Sequence, residues 1–136
     1  MCVDTVAYKS FSINNKGQIF CEGFYQEIEN QSMKFPNAEF LELGDALKDS
    51  GSEIDLNKFL IYDNVVYSEP DYSLVIKQLK EFSFENALNE GTKAYAYIQE
   101  NKELVKKHFR YIYDPLEVLS YLMELWREGY YVDYCH

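Results

Sequence analysis

Apolar and polar positions alternate along the first part of the chain. Over residues 5–13, Val6, Tyr8, Phe11 and Ile13 stand among polar neighbours, and over residues 18–25 Ile19, Cys21 and Phe24 do the same. A period near two puts every second side chain on one face of a strand. Between the runs, Asn14-Asn15-Lys16-Gly17 supplies residues that tolerate positive φ. The two runs predict a β-hairpin, with Gly23 as a bulge position. Residues 27–34 are polar and read as a loop. Glu39-Phe40-Leu41-Glu42-Leu43 alternates again and predicts a third strand, followed by a loop over residues 44–52 with room for one helical turn. Two short β-rich runs, residues 59–62 and 65–67, flank Asp63-Asn64 and predict a second hairpin or one bent strand.

From Pro70 the period lengthens. Ser68 can cap a helix and Pro70 suits its first turn, with Tyr72, Val75, Ile76 and Leu79 at helical spacing. This predicts a helix over about 70–82. A short helical segment follows at residues 84–89, stopped by Gly91. Thr92 then caps a longer helix over about 92–112, with Tyr95, Ile98, Val105 and Phe109 among charged residues. The clearest start signal is Asp114-Pro115-Leu116-Glu117. Asp114 can accept from orphan amides, Pro115 has the right φ, and Glu117 stands three residues past the cap. Leu116, Leu119, Leu122, Met123 and Trp126 form an apolar face, and Gly129 ends a helix over about 115–128. The tail Tyr130-Tyr131-Val132-Asp133-Tyr134 is either an acid-and-tyrosine surface or a strand packed back on the domain. The sum is one α+β domain over residues 1–136, a mostly antiparallel N-terminal sheet of about 3–5 strands (residues ~5–67) covered by about three C-terminal helices.

Composition narrows the function classes. The net charge is −10, from 23 acids against 13 Lys and Arg, which repels nucleic acid and anionic membranes and attracts basic surfaces. Direct nucleic-acid or membrane binding is therefore not expected. No run reaches the roughly 18 apolar residues that span a bilayer. Met1-Cys2-Val3-Asp4 lacks the order of a secretion signal, and Cys2, Cys21 and Cys135 are three and widely spaced. These features favour a reducing, cytoplasmic setting.

No catalytic, metal or cofactor motif emerges. His108 follows Lys106-Lys107 on a charged segment and His136 ends the chain, neither at a spacing that pairs it with a cysteine nucleophile. Cys2 could act as an N-terminal nucleophile if Met1 were removed, but no matching glycine pattern follows it. Cys2, Cys21, Cys135 and His136 lack the paired spacing of a zinc site. The acidic stretch of residues 45–55 lacks calcium-loop spacing, and no phosphate loop occurs. Carboxylates are too numerous for a catalytic pair to be chosen. The chain reads as a non-enzyme that needs no cofactor, the alternative being a small enzyme of unrecognised type that uses scattered carboxylates or Cys2.

The acids are concentrated. Ten lie between Glu22 and Asp63 against Lys34, Lys48 and Lys58, accounting for seven of the ten net charges. Such a run is either a solvated face or an anionic surface that imitates backbone phosphates and fills a basic groove. The candidate partner-binding residues are Glu39, Glu42, Asp45, Asp49, Glu53 and Asp55 in this run. Glu117, Tyr121, Glu124 and Glu128 join them on one side of the last helix. The 13 tyrosines would add contact area. In size, charge and tyrosine content, rather than in any motif, the chain resembles small acidic phage or mobile-element inhibitors of host nucleases, anti-CRISPR proteins among them. It also resembles bacterial immunity proteins that neutralise nuclease toxins. The expected partner is a basic protein, a nuclease or other nucleic-acid-binding protein.

Overall fold

A computed structural model of the chain describes residues 4–25, 39–66 and 68–135. Among them, five α-helices and a four-stranded sheet form an α+β fold. Strands β1 (Asp4–Ile13) and β2 (Ile19–Phe24) make the expected hairpin. Its turn is held by Asn14, whose Oδ1 accepts from the amides of Lys16 (3.0 Å) and Gln18 (2.9 Å), while Gly17 takes φ +76°. Gly23 also has positive φ, but no residue is inserted there. The register is continuous from Tyr8↔Phe24 to Ser10↔Glu22.

The sheet order is β2-β1-β4-β3. Strand β4 (Tyr131–Cys135), formed by the tail, lies between β1 and β3 (Ile61–Asp63). It runs antiparallel to β1 and parallel to β3. A parallel pair cannot be joined by a tight turn, so the helices after β3 form the crossover. The expected hairpin partner of β3 does not pair with it. Val66 bridges Glu69 instead, residues 57–59 form a 3-10 turn, and Tyr67 and residues 27–34 lie outside the described residues.

Because β1 and β4 are central, both of their faces are covered. Ala7 and Val132 join the larger core with Leu43, Leu47, Leu119, Leu122 and Trp126. Tyr8 and Ile61 face a smaller cluster with Val75 and Leu79 of α2 (Ser73–Glu81). Alternation therefore under-reports β1. Ala7 and Tyr8 are both buried, whereas Val6, Ile13 and Phe24 are substantially exposed.

Residues 39–43 are not a strand. They open α1 (Glu39–Asp49), which continues through the segment read as a loop. Phe40, Leu43 and Leu47 are buried at i, i+3 and i+7, a helical stripe that the local alternation masked. Gly44 ends nothing. A Cβ there would lie 2.0 Å from Oδ1 of Asn57, whose Nδ2 donates to Asp45 (2.9 Å). Gly91 misleads in the same way. Helix α3 (Phe84–Glu100) runs through it, and a Cβ would meet Met123 Cγ of the last helix at 2.9 Å. Thr92 is not a cap but donates back to the Leu88 carbonyl (2.9 Å), and Ser83 caps α3 by accepting from Asn86 N (3.1 Å). The expected helix over 92–112 is broken at Asn101, which separates α3 from α4 (Lys102–His108). At α2 the cap is not Ser68. Asp71 accepts from the Ser73 amide at 3.0 Å, with Pro70 ahead of the helix.

Helix α5 (Pro115–Arg127) matches its signal. Asp114 Oδ1 accepts from Leu116 N (2.9 Å) and Pro115 occupies the first turn. At the other end Gly129, at φ +89°, donates to Trp126 O and Tyr130 donates to Leu125 O, the paired bonds of a Schellman ending. That turn sends the chain directly into β4.

Gly44→Ala is expected to destabilise the protein by about 1–3 kcal/mol, although alanine favours a helix by about 1 kcal/mol. The overlap with Asn57 outweighs the propensity. Urea unfolding of the two proteins checks the sign.

Candidate functional site

Helix α5 is rigidly seated. Its inner residues Val118, Leu119, Leu122, Leu125 and Trp126 are almost fully buried. That seating turns Glu117, Glu124 and Glu128 to solvent on the far side, all exposed, spread over roughly 16 Å of helix. Tyr121, expected among them as a contact residue, is only half-exposed. Its ring stacks on Phe40 (6.1 Å, 16° between planes) and meets Tyr25 edge-on. The same holds for tyrosine generally. Each of the described tyrosines is buried or half-buried, so they serve packing rather than an open contact surface. Among the described residues, the exposed aromatics are Phe20 and Phe24 of the hairpin.

Among the described residues, the acids of the first half do not form one face. Glu39 is buried at the start of α1, where burial raises its carboxyl above the usual range. It is not part of any surface. Glu42, Asp45 and Asp49 stand at i, i+3 and i+7 and line a cavity of about 430 Å³ with Lys107, His108 and Arg110. The basic end of α4 therefore faces the acids of α1. Glu53 is exposed and Asp55 half-buried in the following loop. Of the ten candidates, the structure assembles Glu42, Asp45 and Asp49 at a mixed-charge cavity, and Glu117, Glu124 and Glu128 on the solvent side of α5, beside the exposed Arg127.

A second polar site was not anticipated. Tyr8 on β1 donates to Asp133 on β4 at 2.8 Å, within the sheet interior. Burial pushes the Asp133 carboxyl up to about 7, against the opposing effect of the tyrosine bond and with Asp63 adding repulsion. Tyr8 is itself raised by burial first and by Asp133 second. Cys21 lies within hydrogen-bonding reach of Tyr8, and burial raises its thiol. A raised thiol stays protonated, which opposes a nucleophilic role. Cys2 lies outside the described residues. Among the described residues, no group of His, Cys, Asp and Glu could hold a metal ion, and no helix is long and apolar enough to cross a membrane.

Comparison with protein-family models, with curated proteins and with solved structures finds no match for this chain.

The Asp133 site generates a pH dependence. In the folded protein the carboxyl titrates near 7, against about 3.9 in an unfolded chain. Between these values the folded state holds the extra proton, so stability falls as pH rises from about 4 to 7 and the loss is complete above. Asp133→Asn removes the charge while keeping an acceptor for Tyr8. At pH 8 it is expected to exceed the parent in stability by roughly 2–4 kcal/mol, with the gap closing toward pH 4.5. Urea midpoints across that range measure it.

Proposed function

We propose that this protein is a non-enzymatic inhibitor. Its acidic α5 face occupies the basic groove of a nucleic-acid-binding protein, such as a nuclease. The observation that carries the reading is the exposed line of Glu117, Glu124 and Glu128 on a helix whose opposite side is locked into the core. Carboxylates held in line on a rigid rod present charge as a nucleic-acid strand does, already ordered before contact. Less freedom is then lost on binding. The net charge of −10 steers the encounter with a basic surface. The mixed cavity at α1 is a weaker contact surface, because Lys107 and Arg110 oppose its acids locally. An immunity protein that neutralises one cognate toxin would use the same α5 face. The identity of the captured partner separates the two.

Glu124→Lys with Glu128→Lys is the discriminating variant. Both residues are exposed near the C-terminal end of α5, where added positive charge suits the helix dipole. The fold should therefore survive, as circular dichroism would confirm. Affinity capture from bacterial lysate at low salt should recover a basic nucleic-acid-binding protein with the parent. Association with that protein should be at least tenfold slower for the double variant, and binding by the parent should weaken as salt rises. Unchanged association kinetics would remove α5 as the contact face. Failure to recover any basic partner would sink the inhibitor reading.

A further inference from the structure

The acidic chain contains one compact basic region. Helix α4 and the residues after it carry Lys102, Lys106, Lys107 and Arg110 within nine positions, offset only by Glu103. Beside α4 opens a cavity of about 630 Å³. Ile98, Ile112, Tyr113 and Pro115 give it apolar walls, and Lys102 and Lys107 stand at its edge. This size falls in the range of small-molecule sites, which pair an apolar lining with a few polar groups.

Three details make it a formed site rather than a gap between elements. Its floor is anchored, since Ile98 is buried in the main core. Its far wall is tied down by Lys106, whose Nζ donates to the carbonyls of Tyr111 and of Tyr113 (3.1 Å to the latter) and lies over the Phe109 ring. Its lip is Ile112, 91% exposed. A single exposed isoleucine is unremarkable alone. Here it prolongs an apolar wall that a ligand would cover.

We propose that this cavity binds a small amphipathic carboxylate. Its hydrocarbon part lies along Ile98, Ile112 and Pro115, and its carboxylate pairs with the ammonium groups of Lys102 and Lys107. The charge selects the class. With Lys106 committed to the loop carbonyls, two exposed lysines line the cavity for one anionic group, Lys107 being shared with the acids of α1, and Glu103 and Asp114 in the same lining disfavour multiply charged ligands. Asp114 also uses one carboxylate oxygen to cap α5, which holds that wall in place. The site uses none of the α5 acids, so it stands or falls independently of the inhibitor reading.

The test uses the full chain labelled with ¹⁵N and titrated with octanoate below its micelle concentration, with 1-octanol and acetate as controls. Octanoate is expected to shift amides of residues 98–115 saturably, 1-octanol to bind at the same amides at least several-fold more weakly, and acetate to give no saturable shift. Lys102→Gln with Lys107→Gln, both at exposed positions, should weaken octanoate about tenfold and leave 1-octanol unchanged. Ile112→Ser should weaken both. The proposal is overturned if octanoate shifts no cavity amides, if 1-octanol or acetate binds as well as octanoate, or if the double lysine variant retains parental octanoate affinity.

Discussion

The insertion of β4 between β1 and β3 is the constraint on which the rest of the structure depends. Without residues 131–135, the N-terminal hairpin and β3 have no strand joining them, because neither pairs with the other. Ala7 would lose Val132 from the main core, and Tyr8 would lose Asp133. The pairing closes a loop that spans nearly the whole chain, which is costly in entropy before its contacts form. The helices lower that cost by delivering β4 in place. Asp114 starts α5, packing against the core fixes its direction, and the turn at Gly129 points the chain into the sheet.

Burying a strand that carries an aspartate has consequences for electrostatics. Asp133 occupies a low-dielectric site with one hydrogen bond from Tyr8, and it gains less there than burial costs. The larger charge distribution is arranged differently. Helix α1 holds Glu42, Asp45 and Asp49 toward the basic end of α4, so part of the acidic first half is offset within the fold. The line on α5 is exposed to solvent, with Arg127 as the exposed cation on that helix, and under the proposed reading a basic partner would meet mainly acids there. The mean charge of a segment is thus a poor guide to its binding surface. What matters is which acids the packing leaves opposite cations.

The features legible in the sequence were those written locally. The hairpin turn at Asn14 to Gly17 and both ends of α5 depend on backbone chemistry within a few residues, and the structure places them as read. The acidic side of α5 was legible for the same reason, since helical spacing alone puts Glu117, Glu124 and Glu128 together. Errors arose where a local signal had a distant cause. Gly44 resembles the start of a loop and Gly91 a helix stop, but both positions are small because Asn57 and Met123 press against them from elsewhere in the chain. Glu39 to Leu43 fits both a period of two and a helix, and only the burial of Leu47 one turn on decides between them. Asp133 carried no sign of its role, because its partner lies 125 residues away. The cationic cavity needed α3, α4 and the start of α5 to be in place before its residues became neighbours.

The acidic helix face and the cationic cavity differ in how they sense the medium, and this follows from their shapes. Screening acts over ~8 Å at physiological ionic strength and weakens interactions between exposed charges most. The α5 acids are exposed, and under the proposed reading their pull on a partner would be mainly long-range, so salt would act directly on the encounter. A carboxylate in the cavity beside α4 would sit at contact distance from its lysines, with an apolar body shielding one side and contributing burial that salt does not weaken. Negative charge elsewhere on the protein repels such a ligand at long range, and that repulsion is screened too. Rising salt would therefore weaken attraction at the helix face and also the pairing with the exposed lysines of the cavity, where relief of long-range repulsion and apolar burial offset part of the loss. If both proposals hold, one protein with a net charge of −10 would carry two surfaces that differ in how steeply salt weakens them, because only the cavity adds apolar burial to its charge pairing.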